Sequence, residues 1–325
     1  MEGLTRNRLR VAGSRLRQVY QTVSTRLQAR ATLGRFGCVA ALPVLLAGVT
    51  GCFSVKIRPV EKTVIIDHVQ DATLDQLMQS LQDNFEAIQT INARVEVTAT
   101  TGGAHQGEVH EIPTFAGFIF LRKPSDLRVL LQLPVLHSVA LDMVSDGKNF
   151  KLKIPPKNKA VTGPAAVTTP SSNGFENLRP NIIRDALLVP PLGPDDYVAL
   201  TKSSRIMPSP TKKHETIEEP DYDITVLRQK KGHVLGRVRV IHVGRADLRP
   251  YEQDIYGDSG RIVTEVHYSR YTRFGDIWFP TLIDLSRPID EYTLKLDMTK
   301  VVLNQKLDDE TFVLSIPEGM PIQKM

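Results

Sequence analysis

Apolar residues recur with two different periods along the chain, and these periods separate one early helix from a long series of strands. Between residues 73 and 92 the apolar positions are three or four apart, which places them on one stripe of a helix. Thr73 and Gln76 fit a capping box at its start. The stripe consists of Leu74, Leu77, Met78, Leu81, Phe85, Ile88 and Ile91. We predict an amphipathic helix over residues 73–92 that packs on a neighbouring element.

After residue 92 the period shortens to two, which is typical of strands with one buried face. The alternating segments are 93–100, 115–121, 127–133, 138–145, 150–154, 222–229, 234–243, 262–271, 278–285, 292–301 and 311–314. Asp146-Gly147 and Gly257-Asp-Ser-Gly260 occupy expected hairpin turns. This pattern predicts a large antiparallel sheet with a few helices, which is an α+β fold.

Residues 155–210 interrupt the alternation and hold 10 of the 21 prolines. Within them only residues 182–188 have a helical pattern. A long proline-rich insert of this kind is expected to be either a covering flap or a mobile loop.

The strands before residue 155 share a predicted apolar face that is larger than one helix can cover. Its candidate cavity-lining residues are Ile119, Leu121, Lys123, Leu127, Val129, Leu131, Val139, Leu141, Met143, Phe150 and Leu152. Branched aliphatic and methionine side chains suit a cavity that accommodates flexible chains. The alternative is that this face is simply the core beneath the helix.

The charge distribution divides the chain into a basic leader and a weakly acidic remainder. The whole chain has 41 Lys and Arg against 36 Asp and Glu, and residues 1–51 hold eight of the arginines, no lysine and one acid. Residues 52–325 therefore have 33 basic and 35 acidic residues, a formal charge of −2. A basic groove for nucleic acid is not supported by this composition.

The leader has the pattern of an export signal. Its arginines precede an apolar run at residues 36–49, which is too short to span a hydrocarbon core of roughly 30 Å comfortably. The sequence Val49-Thr50-Gly51-Cys52 that follows resembles the bacterial lipobox. The alternatives are a plain signal peptide, or an uncleaved anchor in which Cys52 is incidental.

The lipobox resemblance implies that diacylglycerol is attached to the Cys52 sulfur, and that the chain is cut before Cys52 and its amine acylated, for example with palmitate. Phe53 in place of Asp then implies sorting to the outer membrane. Residues 52–70 would form a tether and residues 71–325 a periplasmic domain. The other cysteine, Cys38, lies within the signal, so the mature domain has no thiol for a disulfide, a metal site or a nucleophile.

Motifs for catalysis are not found in the sequence. There is no P-loop, no dinucleotide fingerprint and no Gly-x-Ser-x-Gly elbow, and the eight histidines are scattered without ligand spacing. We therefore expect no enzymatic activity, no metal and no cofactor other than acyl groups on Cys52.

Several short motifs, in their order and spacing, resemble the LolA/LolB-like lipoprotein carriers over roughly residues 72–320, except in the insert. These motifs are Phe118-Ile-Phe-Leu-Arg-Lys-Pro124, Asp126-Leu-Arg128, Val144-Ser-Asp-Gly-Lys148, Phe279-Pro280, Leu303-Asn304, Leu307-Asp-Asp-Glu-Thr-Phe312 and Ile316-Pro-Glu-Gly319. The resemblance implies a curved antiparallel half-barrel covered by helices, with an apolar cavity. By position, the arginine that contacts the family's lid is Lys123 here, and the family's cavity aromatic is Leu127.

The resemblance also implies a function. The protein would be an outer-membrane lipoprotein on the periplasmic face that binds the acyl chains of lipids or lipoproteins for transport or insertion. A periplasmic carrier protein is a candidate partner. The alternative is a structural envelope lipoprotein whose hollow is filled by its own helices and flap.

Overall fold

The computed structural model describes residues 62–65, 69–166, 179–209, 211–230 and 232–325. All of them belong to the unit Glu61–Met325. The predictions for the leader, for Cys52 and for most of the tether lie outside the described residues. Neither of the two α-helices in the described part is long and apolar enough to cross a membrane.

The described elements are two α-helices, fifteen strands and two short 3₁₀ helices, at Pro155–Lys157 and Asp309–Phe312. The helices are α1 (Leu74–Ala87) and α2 (Pro180–Leu187). The strands are β1 (Lys62–Ile65), β2 (Thr90–Gly103), β3 (Glu108–Arg122), β4 (Asp126–Gln132), β5 (Val139–Ser145), β6 (Asn149–Ile154), β7 (Lys159–Pro164), β8 (Asp196–Pro208), β9 (Glu215–Gln229), β10 (Leu235–Gly244), β11 (Pro250–Tyr256), β12 (Ile262–Phe274), β13 (Ile277–Arg287), β14 (Tyr292–Leu303) and β15 (Ile322–Lys324).

All fifteen strands form one large, open and curved sheet. Its order is β1-β9-β10-β11-β12-β13-β14-β2-β3-β4-β5-β6-β7-β15, and β8 also pairs with β9. The sheet is mixed and not wholly antiparallel, because β1 pairs with β9 and β15 with β7 in parallel. The predicted hairpin turns are confirmed at Asp146-Gly147, between β5 and β6, and at Gly257–Gly260, between β11 and β12.

The capping box at the start of α1 is confirmed. The Gln76 backbone N–H donates to the Thr73 hydroxyl over 3.3 Å, and the Thr73 N–H donates to the Gln76 side chain over 2.8 Å. The helix ends at Ala87, earlier than predicted, because the chain is extended at Ile88 and β2 follows. Ile88 and Ile91 are nevertheless fully buried. Both are β-branched, and such side chains favour extended backbone.

The proline-rich segment contains β7, α2 and β8, of which only α2 was predicted. Pro180 stands at the first position of α2, where its missing N–H and fixed φ are compatible with the helix. The segment therefore contributes regular structure to the domain in its described residues. Residues 167–178 lie outside the described part.

The strand predicted at 311–314 is wrong. A 3₁₀ turn spans Asp309–Phe312, and no strand follows it directly. Two arginines of neighbouring strands bind carbonyl groups of this segment: Arg122 donates to Leu307 O over 3.0 Å and Arg128 to Thr311 O over 2.8 Å. These two side chains bind backbone carbonyl groups of the segment, which therefore is held in place without hydrogen bonds to a neighbouring strand.

Both helices pack on the same face of the sheet, which we call the inner face. Helix α1 places Leu77 in a small cluster with Tyr222, Ile224, Ile241 and Val243 of β9 and β10. Helix α2 contributes buried residues to a larger cluster that extends across β2–β7 and β12–β14; they are Ile183, Ala186 and Leu187. The core of the domain lies between this face and the two helices.

Candidate ligand-binding site

Most of the candidate cavity residues lie together on the inner face, but as part of a packed core. Buried members of the larger cluster are Ile119, Leu121, Leu127, Val129, Met143 and Phe150, and Leu131, Leu141 and Leu152 pack against it. Ile183 and Leu187 of α2 belong to the same cluster. Side chains of α2 are thus buried together with these residues, and a cavity lined by them stays a prediction.

Val139 departs from the predicted face. Leu131 pairs with Leu141, whereas Gln132 pairs with Val139, so Ala140 is an extra residue on β5. Such a β-bulge shifts the alternation by one position. Val139 therefore shares the face of Gln132, opposite to Leu131.

Lys123 is attached to helix α1. Its ammonium group donates to the Phe85 carbonyl and lies 3.6 Å from the centre of the Phe85 ring. Burial lowers the pKa of Lys123, and the nearby Glu86 carboxylate opposes that effect. A cation at a helix C-terminus is stabilised by the helix dipole. Lys123 thus ties the β3–β4 turn to the end of α1 and does not contribute to an apolar lining.

Open space is present on the other half of the inner face. A pocket of about 590 Å³ lies between α1, residues 189–193 and strands β9 and β10. Its lining residues are Met78, Leu81, Gln82, Val189, Pro190, Pro191, Leu192, Gly193, Asp196, Val226, Arg228, Val238, Arg239 and Ile241. We call it the α1 pocket. Its volume is in the range of about 300–1,000 Å³ that is usual for small-molecule sites.

A smaller pocket of about 210 Å³ adjoins the α1 pocket, and the two share Leu81 and Val189. It is lined by the second half of α1 and by aromatic residues of β12 and β13, among them Tyr268 and Phe279. Together the two pockets run beneath α1 from β9 to β13. Sequence reasoning placed the candidate site on β3–β6 and did not identify this region.

Three polar side chains lie on the inner face beside these pockets. Gln253 is fully buried, and its amide donates to the Asp185 carbonyl over 3.2 Å and to the Tyr268 hydroxyl over 3.3 Å. Arg239 donates to the Pro190 carbonyl over 3.2 Å. Within the described part of the chain, Arg239 Nε and Gln253 Oε1 are buried without a hydrogen-bond partner. Burial lowers the pKa of Arg239 and raises the pKa of Tyr268.

An ion pair lies in the same lining. Arg228 Nε is 2.7 Å from Asp196 Oδ1, and the Arg228 guanidinium lowers the pKa of Asp196. The two charges compensate each other. The charge of Arg239 has no such carboxylate partner within 4 Å among the described residues.

The opposite, outer face of the sheet brings together His242, Glu252 and Asp254, whose ligand atoms lie within 4.8 Å of one another. The spacing in the sequence gave no sign of this group, because it forms only when β10 pairs with β11. His242 Nδ1 is 2.7 Å from Asp223, and Nε2 is 3.6 Å from Asp254. Burial opposes the charged imidazolium, but the Asp254 and Asp223 carboxylates outweigh it and raise the pKa of His242 to about 9. This arrangement holds a proton on the imidazole, and a metal would have to displace it.

The loop between β4 and β5 exposes two apolar side chains. Val135 is 89% exposed and Leu136 is 74% exposed. The backbone has positive φ at Val135 and His137, which is uncommon for residues with a Cβ. The loop therefore projects an apolar tip into solvent.

No protein-family model matches the chain, and no curated protein is significantly similar to it. Solved structures with some likeness include a LolA superfamily protein from Nitrosomonas europaea (14% identity, TM-score 0.46, 75% of this chain and 99% of that chain). Others are a DUF1329 family protein from Desulfovibrio piger (15%, TM-score 0.46, 73% and 94%) and an outer membrane lipoprotein-sorting protein domain from Vibrio parahaemolyticus (10%, TM-score 0.43, 73% and 94%). Likenesses this weak carry no inference about family or function, so the function must be argued from the residues of this chain.

Proposed function

We propose that the domain is a binding protein that takes up the acyl chain of a lipid or lipoprotein in the α1 pocket. The observation that supports this most directly is the pocket itself. Its walls are mostly apolar, from Met78 and Leu81 on α1 through Val189–Leu192 to Val226 and Ile241 on the sheet. Its role would be binding and not catalysis.

Apolar burial would supply the affinity. Each methylene group removed from water contributes about 0.8 kcal/mol. The binding is non-covalent, so cargo would pass to any receiver that binds the acyl chain more tightly. The exposed tip at Val135 and Leu136 supports contact with a membrane, because isolated apolar side chains at a loop tip can insert among lipids.

The location belongs to the same proposal. The lipobox-like sequence at Cys52 supports attachment to the outer membrane through acyl groups, with the domain facing the periplasm. One acyl chain gives only reversible membrane binding, whereas two or three give stable anchoring. A periplasmic carrier that delivers cargo is the proposed partner.

A second candidate is a structural envelope lipoprotein without cargo. The observation that favours it is that side chains of α2 lie in one buried cluster with residues of β2–β7. Under this alternative the α1 pocket would be a packing defect that binds nothing.

The test is a titration of the full chain carrying Cys52→Ser with a long-chain fluorescent fatty acid. Val189 lines both pockets, and Val189→Trp would place a bulky side chain in them. We expect this variant to bind the fatty acid at least about tenfold more weakly, because a filled pocket cannot admit the acyl chain. Val109→Trp is the matched control, because Val109 is 62% exposed on β3 and should bind like the parent. Absence of saturable binding by the parent chain would contradict the proposal and favour the structural alternative.

A further inference from the structure

Arg239 is a charged residue among the apolar inner-face residues of its strand. On β10 the inner-face residues Ile241 and Val243 pair with Ile224 and Tyr222 of β9. Arg239 pairs with Val226 and therefore lies on the same inner face, where the pattern calls for an apolar side chain.

A β-bulge next to Arg239 separates it from the face of Arg237. The register of β9 and β10 shifts between Arg237 and Arg239, so that Val238 is an extra residue. Arg237 pairs with Leu227 and lies on the outer face, where it is exposed and donates to the Tyr256 hydroxyl over 3.0 Å. Two arginines two positions apart therefore have opposite surroundings.

The charge of Arg239 is incompletely compensated. Arg239 is half-buried, and its Nε is fully buried. A cation that is drawn from water is normally paired with a carboxylate, because that removal is costly. The nearest acids are engaged elsewhere: Asp185 pairs with Arg184 at 3.1 Å and Asp196 with Arg228 at 2.7 Å. Arg239 donates to the neutral Pro190 carbonyl, and its Nε has no hydrogen-bond partner in the described residues.

A second donor, the Tyr268 hydroxyl, lines the smaller pocket that adjoins the α1 pocket. The Gln253 amide donates to the Tyr268 oxygen, which leaves the Tyr268 hydroxyl proton available for another acceptor. Tyr268 is close enough for the charge of Arg239 to lower the pKa of its hydroxyl, although burial raises that pKa more. Gln253, fully buried against the Asp185 carbonyl, fixes the position of Tyr268.

We infer that the α1 pocket takes an amphiphile with a single anionic headgroup, a carboxylate or a phosphate, and that Arg239 is its anchor. This inference rests on the proposed function and names the substrate class. The acyl chain lies along the apolar walls, and the headgroup lies at the polar end toward β10–β12. A guanidinium suits this task, because its planar donors match carboxylate and phosphate oxygens.

The experiment compares three ligands with the same palmitoyl chain on the full chain carrying Cys52→Ser. These are palmitate, monopalmitoyl phosphatidic acid and the neutral monopalmitoylglycerol. The parent should bind both anionic ligands at least about tenfold more tightly than the neutral one. Arg239→Gln should remove this preference and leave the affinity for monopalmitoylglycerol unchanged. Arg237→Gln removes the same charge from the outer face and should bind like the parent.

The outcomes separate the two proposals. If the parent binds none of the three ligands, the proposed function fails. If it binds all three equally, acyl binding stands and the anionic headgroup is wrong, whether or not Arg239→Gln folds. Inorganic phosphate alone should not displace palmitate. Displacement would indicate a site for free anions and would contradict the inference that the ligand is an amphiphile.

Discussion

Strands β2–β7 and strands β9–β10 both turn an apolar face toward the helices, yet these two parts of the face are covered differently. Side chains of α2 join β2–β7 and β12–β14 in one buried cluster. Over β9–β10, α1 buries only Leu77 among its residues and leaves the α1 pocket, with polar groups at its base. An alternating apolar strand is thus compatible with a core or a cavity, and the covering segment decides which one forms.

The largest expected effect concerns the packed half. Leu127 is 1% exposed, and Leu127→Ala should lower the free energy of unfolding by about 2–5 kcal/mol, because it leaves a cavity in a filled core. Leu192, in the wall of the α1 pocket, is 38% exposed, and Leu192→Ala should cost less than about 1 kcal/mol. Urea unfolding of both variants measures the difference. Equal costs would contradict the distinction between the two halves.

The next effect concerns the outer face of the pocket half, where His242 links β9, β10 and β11. Its pKa is raised from 6.5 to about 9, so its stabilising contribution is fully present below the unfolded pKa and is lost as pH rises through the folded one. The shift corresponds to a contribution on the order of 3 kcal/mol. His242→Gln should therefore lower stability most near about pH 6 and least near about pH 10. A difference between parent and variant that is constant across this range would refute the assignment.

The smallest expected effect concerns the cover of the pocket. Thr73→Ala removes the acceptor of the first turn of α1 and should cost about 1 kcal/mol. Since α1 forms one wall of the α1 pocket, its loosening should also weaken binding of the fluorescent fatty acid. Thr63→Ala, on the exposed edge strand β1, is the control and should change neither property. A stability loss without any change in affinity would mean that α1 does not shape the site.

Much of the fold follows from alternation, because a strand with one buried face must alternate. The shared face of Ile119 and Leu127 was predicted in this way, whereas α2 was predicted from the helical pattern of residues 182–188. Strand β8 was not predicted, because much of both its faces is exposed where it pairs with β9. Strand β11 was not predicted either, because its most buried residue is the polar Gln253 and not an apolar one.

The candidate site could not be predicted as well as the fold. The volume beneath α1 depends on how residues 189–193 return over the sheet, and local periodicity carries no information about that path. An arginine in an otherwise apolar register at 239 was a visible signal. Alternation with Ile241 and Val243 already places Arg239 on the inner face. The bulge at Val238, which assigns Arg237 to the opposite face, could not be inferred from the sequence. The Val139 prediction failed for the same reason, because a bulge shifts one strand by a single residue.

The central claim is that the acyl chain lies in the α1 pocket and not over β3–β6. The most direct measurement is cross-linking with a fatty acid that carries a photoreactive group at the end of its chain, bound to the full chain with Cys52→Ser, followed by peptide mass spectrometry. We expect adducts on peptides that contain Met78 or Leu81 of α1 and on peptides that span Val189–Leu192. Adducts confined to peptides from Leu127 to Phe150 would contradict this account and would require α2 to leave the core.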